Sequence, residues 1–152
     1  MTDAAVPMPE KLERFLEAMD LLEDRSERIQ ALIDIAERFP GVPETVACRP
    51  YGEEHKVPAC ESQAYVWSEA RPDRTLKYWF AVENPQGISA KSLAVILDET
   101  LSGAPVDKVA AVSGDVVYRI FGNELSMGKS MGLMSMVGMV QTAAKKAIAK
   151  RT

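Results

Sequence analysis

Covalent chemistry has few candidates in this chain. It contains two cysteines and a single histidine, and all three, Cys48, His55 and Cys60, fall in one stretch. Cys60 stands in Lys56-Val57-Pro58-Ala59-Cys60-Glu61-Ser62-Gln63, directly ahead of the β-prone, aromatic run Ala64-Tyr65-Val66-Trp67. A residue before proline is pushed toward the extended region, and Pro58 has no N–H to give to a sheet. The segment therefore reads as a loop or strand mouth that fixes a thiol at a sheet edge, outside the paired backbone. That is how a thiol is presented to a partner.

A cysteine so placed can serve as a nucleophile, a metal ligand or a redox switch, or can fill space as a small hydrophobe. Acyl transfer needs a nearby base, and the single histidine, His55, lies on the same irregular stretch. A supporting Cys60–His55 pair is open there, but the orienting third group is unassigned, so a hydrolase is disfavoured and His55 reads first as a solvated loop residue. Tetrahedral zinc would have to recruit Cys48, His55, Cys60 and a carboxylate, whose spacing matches no C-x-x-C signature. A metal-binding or cluster-scaffold module on those three residues stands as the alternative reading. Cys48 reads as a partly buried thiol near the end of the second helical unit. A role in resolving an oxidised Cys60, or a disulfide between the two, stays open.

The elements that must position this thiol follow from length and pattern. With 152 residues, 47% of them apolar, the chain has the size of one domain that buries roughly two thirds of its unfolded surface and needs no metal or disulfide to fold. The net charge of −4 is modest, and basic residues cluster only at Lys145-Lys146 and Lys150-Arg151, which argues against nucleic acid as a partner. No apolar run reaches the ~18 residues of a membrane span, and Met1-Thr2-Asp3 opens no basic-then-apolar leader. The expectation is a soluble, cytoplasmic protein with reduced thiols.

Residues 1–8 carry no period and read as a flexible arm, with a single domain over 9–152. From Pro9, the residues Leu12, Phe15, Leu16, Met19 and Leu22 form one helical stripe. Asp24 with Glu27 suggests a capping box for a second helix carrying Ile29, Leu32, Ile33, Ala36 and Phe39, which Pro40-Gly41 ends. Residues 40–56 hold three prolines and two glycines without period and read as a long surface connection. Residues 63–67 and 75–83 form a hairpin around Arg71-Pro72-Asp73, with Leu76, Tyr78, Phe80 and Val82 on the face toward the helices. Ser89 is expected to cap a helix with Leu93, Ile96, Leu97 and Leu101 inward, stopped by Gly103. Pro105 suits the start of a short helix, Ser113 is expected to cap another ending at Gly122-Asn123, and a last helix runs over about 129–150. In that helix Met131 and Met134 read as core, and Gly132 and Gly138 as points of close helix packing. The strands are segregated from the helices, so the fold class is α+β: a small antiparallel sheet with helices on one side. A third strand is compatible with the pattern but has no assigned place.

Three strings go beyond pattern. Val57-Pro58-Ala59-Cys60-Glu61-Ser62-Gln63, then the hairpin, then Leu125-Ser126-Met127-Gly128-Lys129-Ser130-Met131-Gly132-Leu133-Met134-Ser135-Met136-Val137 resemble the SufE family of sulfur acceptors. The helix from Arg28-Ile29 to Phe39-Pro40, and Leu101-Ser102-Gly103-Ala104-Pro105, fit the same family in order and spacing. The likeness covers about residues 10 to 148. It implies a compact SufE/IscU-like α+β fold and a part in iron–sulfur cluster assembly. A pyridoxal-phosphate cysteine desulfurase, SufS-like, would form a persulfide on its own cysteine, and Cys60 would take that sulfur and carry it to a cluster scaffold, SufBCD-like. The chain would stimulate the desulfurase and hold no cofactor itself, acting as a sulfur-transfer protein rather than a stand-alone enzyme. Such exchange needs thiolate character, access and in-line approach. Ser62 and Gln63 would support the loop. Members of the family often carry an acidic residue in the turn after the second strand and an arginine near the start of the last helix. Here the matching places hold Asn84-Pro85-Gln86-Gly87 and Lys129, and lysine lacks the arginine fork that grips a carboxylate in two places.

Overall fold

The computed structural model describes residues 6–123 and 125–150. Of the expected N-terminal arm, residues 1–5 lie outside the described residues, as do Glu124, Arg151 and Thr152. The arm is already docked at Met8, which packs against the core, and Pro9 is buried.

Helix α1 (Glu10–Asp20) buries Leu12, Leu16 and Met19. Helix α2 (Arg25–Glu37) is capped by the Asp24 carboxylate, which accepts from the Ser26 N–H at 2.8 Å rather than from the Glu27 N–H that a capping box would use. Its inward face is Leu32, Ile35 and Ala36, whereas Ile29 is exposed. The expected stripe is rotated because α2 packs on the central helix, whose buried Ser92 hydroxyl donates to the Leu32 carbonyl at 2.7 Å. That central helix, α3 (Ile88–Leu101), is apolar nearly all round, and Leu93, Ala94, Val95, Ile96 and Leu97 are all buried. A helix of that kind has to be surrounded. It contacts α1, α2, the sheet and the last helix.

Strands β1 (Ala64–Ala70) and β2 (Leu76–Val82) pair antiparallel, Ala64 opposite Val82 and Ala70 opposite Leu76. Val66, Leu76, Tyr78 and Phe80 point into the main core. The opposite face is not left to water. Tyr65, Trp67 and Ala81 form a second apolar cluster with Val42, Val46, Ala47, Tyr51 and Trp79, so the 40–56 connection folds over the sheet as a cover. Among the described residues no third strand joins the sheet; beyond β1 and β2 there is one isolated bridge, Lys56 to Tyr65, next to the Val57 N–H donating to the Ala64 carbonyl at 2.8 Å.

The expected caps shift by a residue or two. Gly87, not Ser89, precedes α3, and Asp115, not Ser113, precedes α5 (Val116–Phe121). Ser113 instead accepts the Asp115 N–H at 3.1 Å. Pro105 precedes the short α4 (Val106–Ala110). The last helix, α6 (Met127–Ala149), starts ahead of Lys129 because the Ser126 hydroxyl caps it by accepting the Lys129 N–H at 3.2 Å. Helix α6 packs on β1, α3, α4 and α5 and thereby brings its first turns to the mouth of the hairpin.

Candidate functional site

The Cys60 loop is built from its two anchored feet. Val57 is buried and bonded to Ala64, while at the other end the Ser62 and Gln63 carbonyls accept the Asn84 and Glu83 N–H groups, each at 3.1 Å. The hairpin ladder thus continues past β1 into the loop. Between the feet, the Gln63 N–H donates to the Cys60 carbonyl at 3.2 Å and closes a tight turn over residues 60–63. Ala59 and Gln63 take left-handed backbone conformations, with φ of 58° and 53°. Non-glycine residues pay roughly 1–2 kcal/mol for that region.

Cys60 is half-buried and rests against the main core. A cavity of about 360 Å³ opens beside it, lined by Cys60, Ser62, Asn84, Gln86, Ser89 and Lys129 among others. On the other flank of the loop lies an open recess of about 520 Å³ bounded by Glu53, Lys56, Val57, Pro58, Ala59 and Cys60. Cys60 lines both. Two glycines let the loop lie so close. Gly132 of α6 faces the Ala59 carbonyl and the Cys60 Cα, and Gly87 faces the Ser62 side chain.

The other sequence candidates divide. Lys129 lines the Cys60 cavity from the first turn of α6. Both expected departures from the family pattern, the 84–87 turn and Lys129, therefore meet at one cavity wall. Ser62 and Gln63 support the loop through main-chain bonds. His55 is drawn away from the thiol's surroundings: its Nδ1 is 2.9 Å from the Val66 carbonyl, and its ring stacks on Trp67 at 5.1 Å. A carbonyl only accepts, so Nδ1 carries the proton. His55 is thus half-buried against β1, a correction to the solvated residue expected from sequence. Cys48 is exposed rather than partly buried; its Sγ donates to the Glu44 carbonyl at 3.5 Å, and it lines a separate cavity with Arg49 and Glu83. Both cysteines are free thiols. Among the described residues no group of three or more His, Cys, Asp and Glu is arranged to hold a metal, so Cys48, His55 and Cys60 do not assemble the alternative site.

Of the methionines of α6, Met127 and Met131 are 80% and 55% exposed, so Met131 is not core as expected, whereas Met134 does pack on the core. Gly132 serves loop packing rather than helix packing, and a Cβ on Gly138 would meet nothing within 4 Å. The motif string marked Gly132, but its contact with a loop far away in sequence had no local signal.

Comparison with known proteins fits this arrangement. The family described as SufE, Fe-S metabolism associated domain, matches residues 13–144. A solution structure of a hypothetical protein from Thermus thermophilus superposes with a TM-score of 0.73 at 25% identity, covering 94% of this chain and 99% of that one. No curated relative matches the sequence. With nearly the whole fold and both walls of the Cys60 cavity inside the matched span, the chain belongs to the SufE family of Fe–S metabolism associated domains.

Proposed function

We propose that the chain accepts sulfur from a cysteine desulfurase onto Cys60 and delivers it for iron–sulfur cluster assembly, stimulating the desulfurase by clearing its product. The Cys60 thiolate attacks the terminal sulfur of the desulfurase's cysteine persulfide. The S–S bond of that persulfide breaks, its electron pair leaves with the desulfurase thiolate, and a new S–S bond leaves a persulfide on Cys60. The exchange is balanced without an external oxidant or reductant, and delivery repeats it onto a scaffold's thiol, the sulfur staying at the sulfane level. Pyridoxal phosphate belongs to the partner, and the step asks for no cofactor or metal on this chain. Family membership supports the link to Fe–S metabolism. The observation that carries the reading is the placement of Cys60: half-buried on a two-turn loop, between two surface recesses, with a lysine at the wall of each.

The same reading puts the exchange in the cytoplasm, between soluble protein partners. No helix of the described residues is long and apolar enough to cross a membrane. The test is intact mass after incubation with a cysteine desulfurase and free cysteine. A gain of one sulfur is expected, reversed by dithiothreitol and absent in Cys60→Ser, with Cys48→Ser behaving as wild type. Sulfur that follows Cys48 instead, or no gain in wild type, rules the assignment out.

A further inference from the structure

We propose, resting on the reading of Cys60 as the sulfur carrier, that Gly132 and Gly87 are positioning residues: they form a two-sided seat for the Cys60 loop, against which left-handed backbone at Ala59 and Gln63 pushes. The seat is defined by close clearances; Gly52 is also crowded, but only by the flexible Glu54 carboxylate. A Cβ on Gly132 would stand 2.8 Å from the Ala59 carbonyl oxygen and 2.9 Å from the Cys60 Cα, both main-chain atoms that cannot swing aside. A Cβ on Gly87 would stand 2.8 Å from the Ser62 Oγ, 2.9 Å from the Ser62 Cβ and 3.0 Å from a Val82 methyl. The same helix carries Gly138 with open space around it, so tight clearance belongs to the loop contact and not to α6 in general.

The opposing push is backbone strain. Among the described residues only Ala59, Gln63 and Arg74 are non-glycine residues at positive φ, and two of the three flank Cys60. Glycine occupies that region without penalty, but alanine and glutamine do not. The Gln63 N–H to Cys60 carbonyl bond only closes the turn within the loop; what holds the loop down between its feet is contact against the two glycines and of Cys60 against the main core. Lifting the loop relaxes Ala59 and Gln63 at the loss of that contact. The thiol's exposure is thus set by a balance that a single methyl group can tip.

The experiment is iodoacetamide alkylation of the full chain, followed peptide by peptide, with the exposed Cys48 as an internal reference. Gly132→Ala is expected to speed alkylation of Cys60 at least about fivefold by denying the seat. Ala59→Gly and Gln63→Gly are expected to slow it about fivefold by removing the strain. The Cys48 rate should be constant throughout. If Gly132→Ala disturbs the fold, shown by far-UV circular dichroism or a changed Cys48 rate, Gly87→Ala carries the same expectation from the opposite wall. Unchanged Cys60 rates, or alanine and glycine variants moving together, overturn the proposal. In a desulfurase assay the same order should appear in the KM for the carrier, lower for Gly132→Ala and higher for Ala59→Gly, because only the fraction of lifted loop changes. A shift confined to kcat overturns it. Alkylation needs no desulfurase: opposite shifts in a chain whose Cys60 never gains sulfur would sink the carrier reading and leave the seat standing.

Discussion

Tyr78 shows how much a single side chain can cost when its surroundings are apolar. It is 1% exposed, and its hydroxyl has no hydrogen-bond partner among the described residues. Burial pushes its phenol above the ordinary tyrosine value. A folded pKa raised above the unfolded one means that the linked stability is whole below the unfolded value of about 10 and is lost as pH rises from there toward the folded value. Tyr78→Phe removes both the orphaned hydroxyl and the titration. It is expected to raise stability at neutral pH by about 1 kcal/mol and to flatten the decline above about pH 10, as read from thermal melts at a series of pH values. Cys60 illustrates the opposite case, a residue whose chemistry depends on its neighbours. Pro58, the buried Val57 and the left-handed Ala59 shape its loop, and none of them carries reactive chemistry.

Among the elements, α2 is fastened by an arginine that the apolar pattern does not reveal. Arg28 donates to the Met19, Arg119 and Ile120 carbonyls at 2.9–3.0 Å, joining the C-terminal ends of α1 and α5 to α2. These are carbonyls that a helix end leaves without intrahelical donors, and the charge complements both helix dipoles. Arg28→Ala is expected to destabilise by about 2–3 kcal/mol in urea titrations, and Arg28→Lys to recover less than half, because an ammonium cannot reach the carbonyls as a planar fork does. A comparable fastening joins β2 to α3, where Lys77 pairs with Asp98 at 2.6 Å and the Ser102 hydroxyl donates to the same carboxylate at 2.7 Å. That tie keeps the hairpin square on the central helix, and the hairpin mouth is where the Cys60 loop begins.

Across the whole molecule the sheet is sandwiched, with helices on one face and the 40–56 cover on the other. Tyr51 is the pin of that cover, with its ring 5.1 Å from both Tyr65 and Trp67. Both tryptophans of the chain, Trp67 and Trp79, belong to this cluster, so intrinsic fluorescence reports on it directly. Tyr51→Ala is expected to cost about 2–3 kcal/mol and to shift tryptophan emission to the red before global unfolding. A loss of stability without that shift would mean the cover is fixed elsewhere.

What the sequence alone determined was everything with a local period or a local covalent reason. The stripe of α1, the alternation of β2 and the stop at Gly103 are each written within a few residues, and each is found in place. Tertiary structure alone decided what depends on distant partners. The rotated face of α2 is set by Ser92, the cover over Tyr65 and Trp67 by the 40–56 segment, and the withdrawal of His55 by the Val66 carbonyl. Periodicity reports which side of an element is apolar; it does not report what will lie against the other side. For the same reason Gly132 and Gly87 are ordinary glycines in the sequence and the walls of the Cys60 seat in the fold, because a clearance exists only once two remote segments have come together.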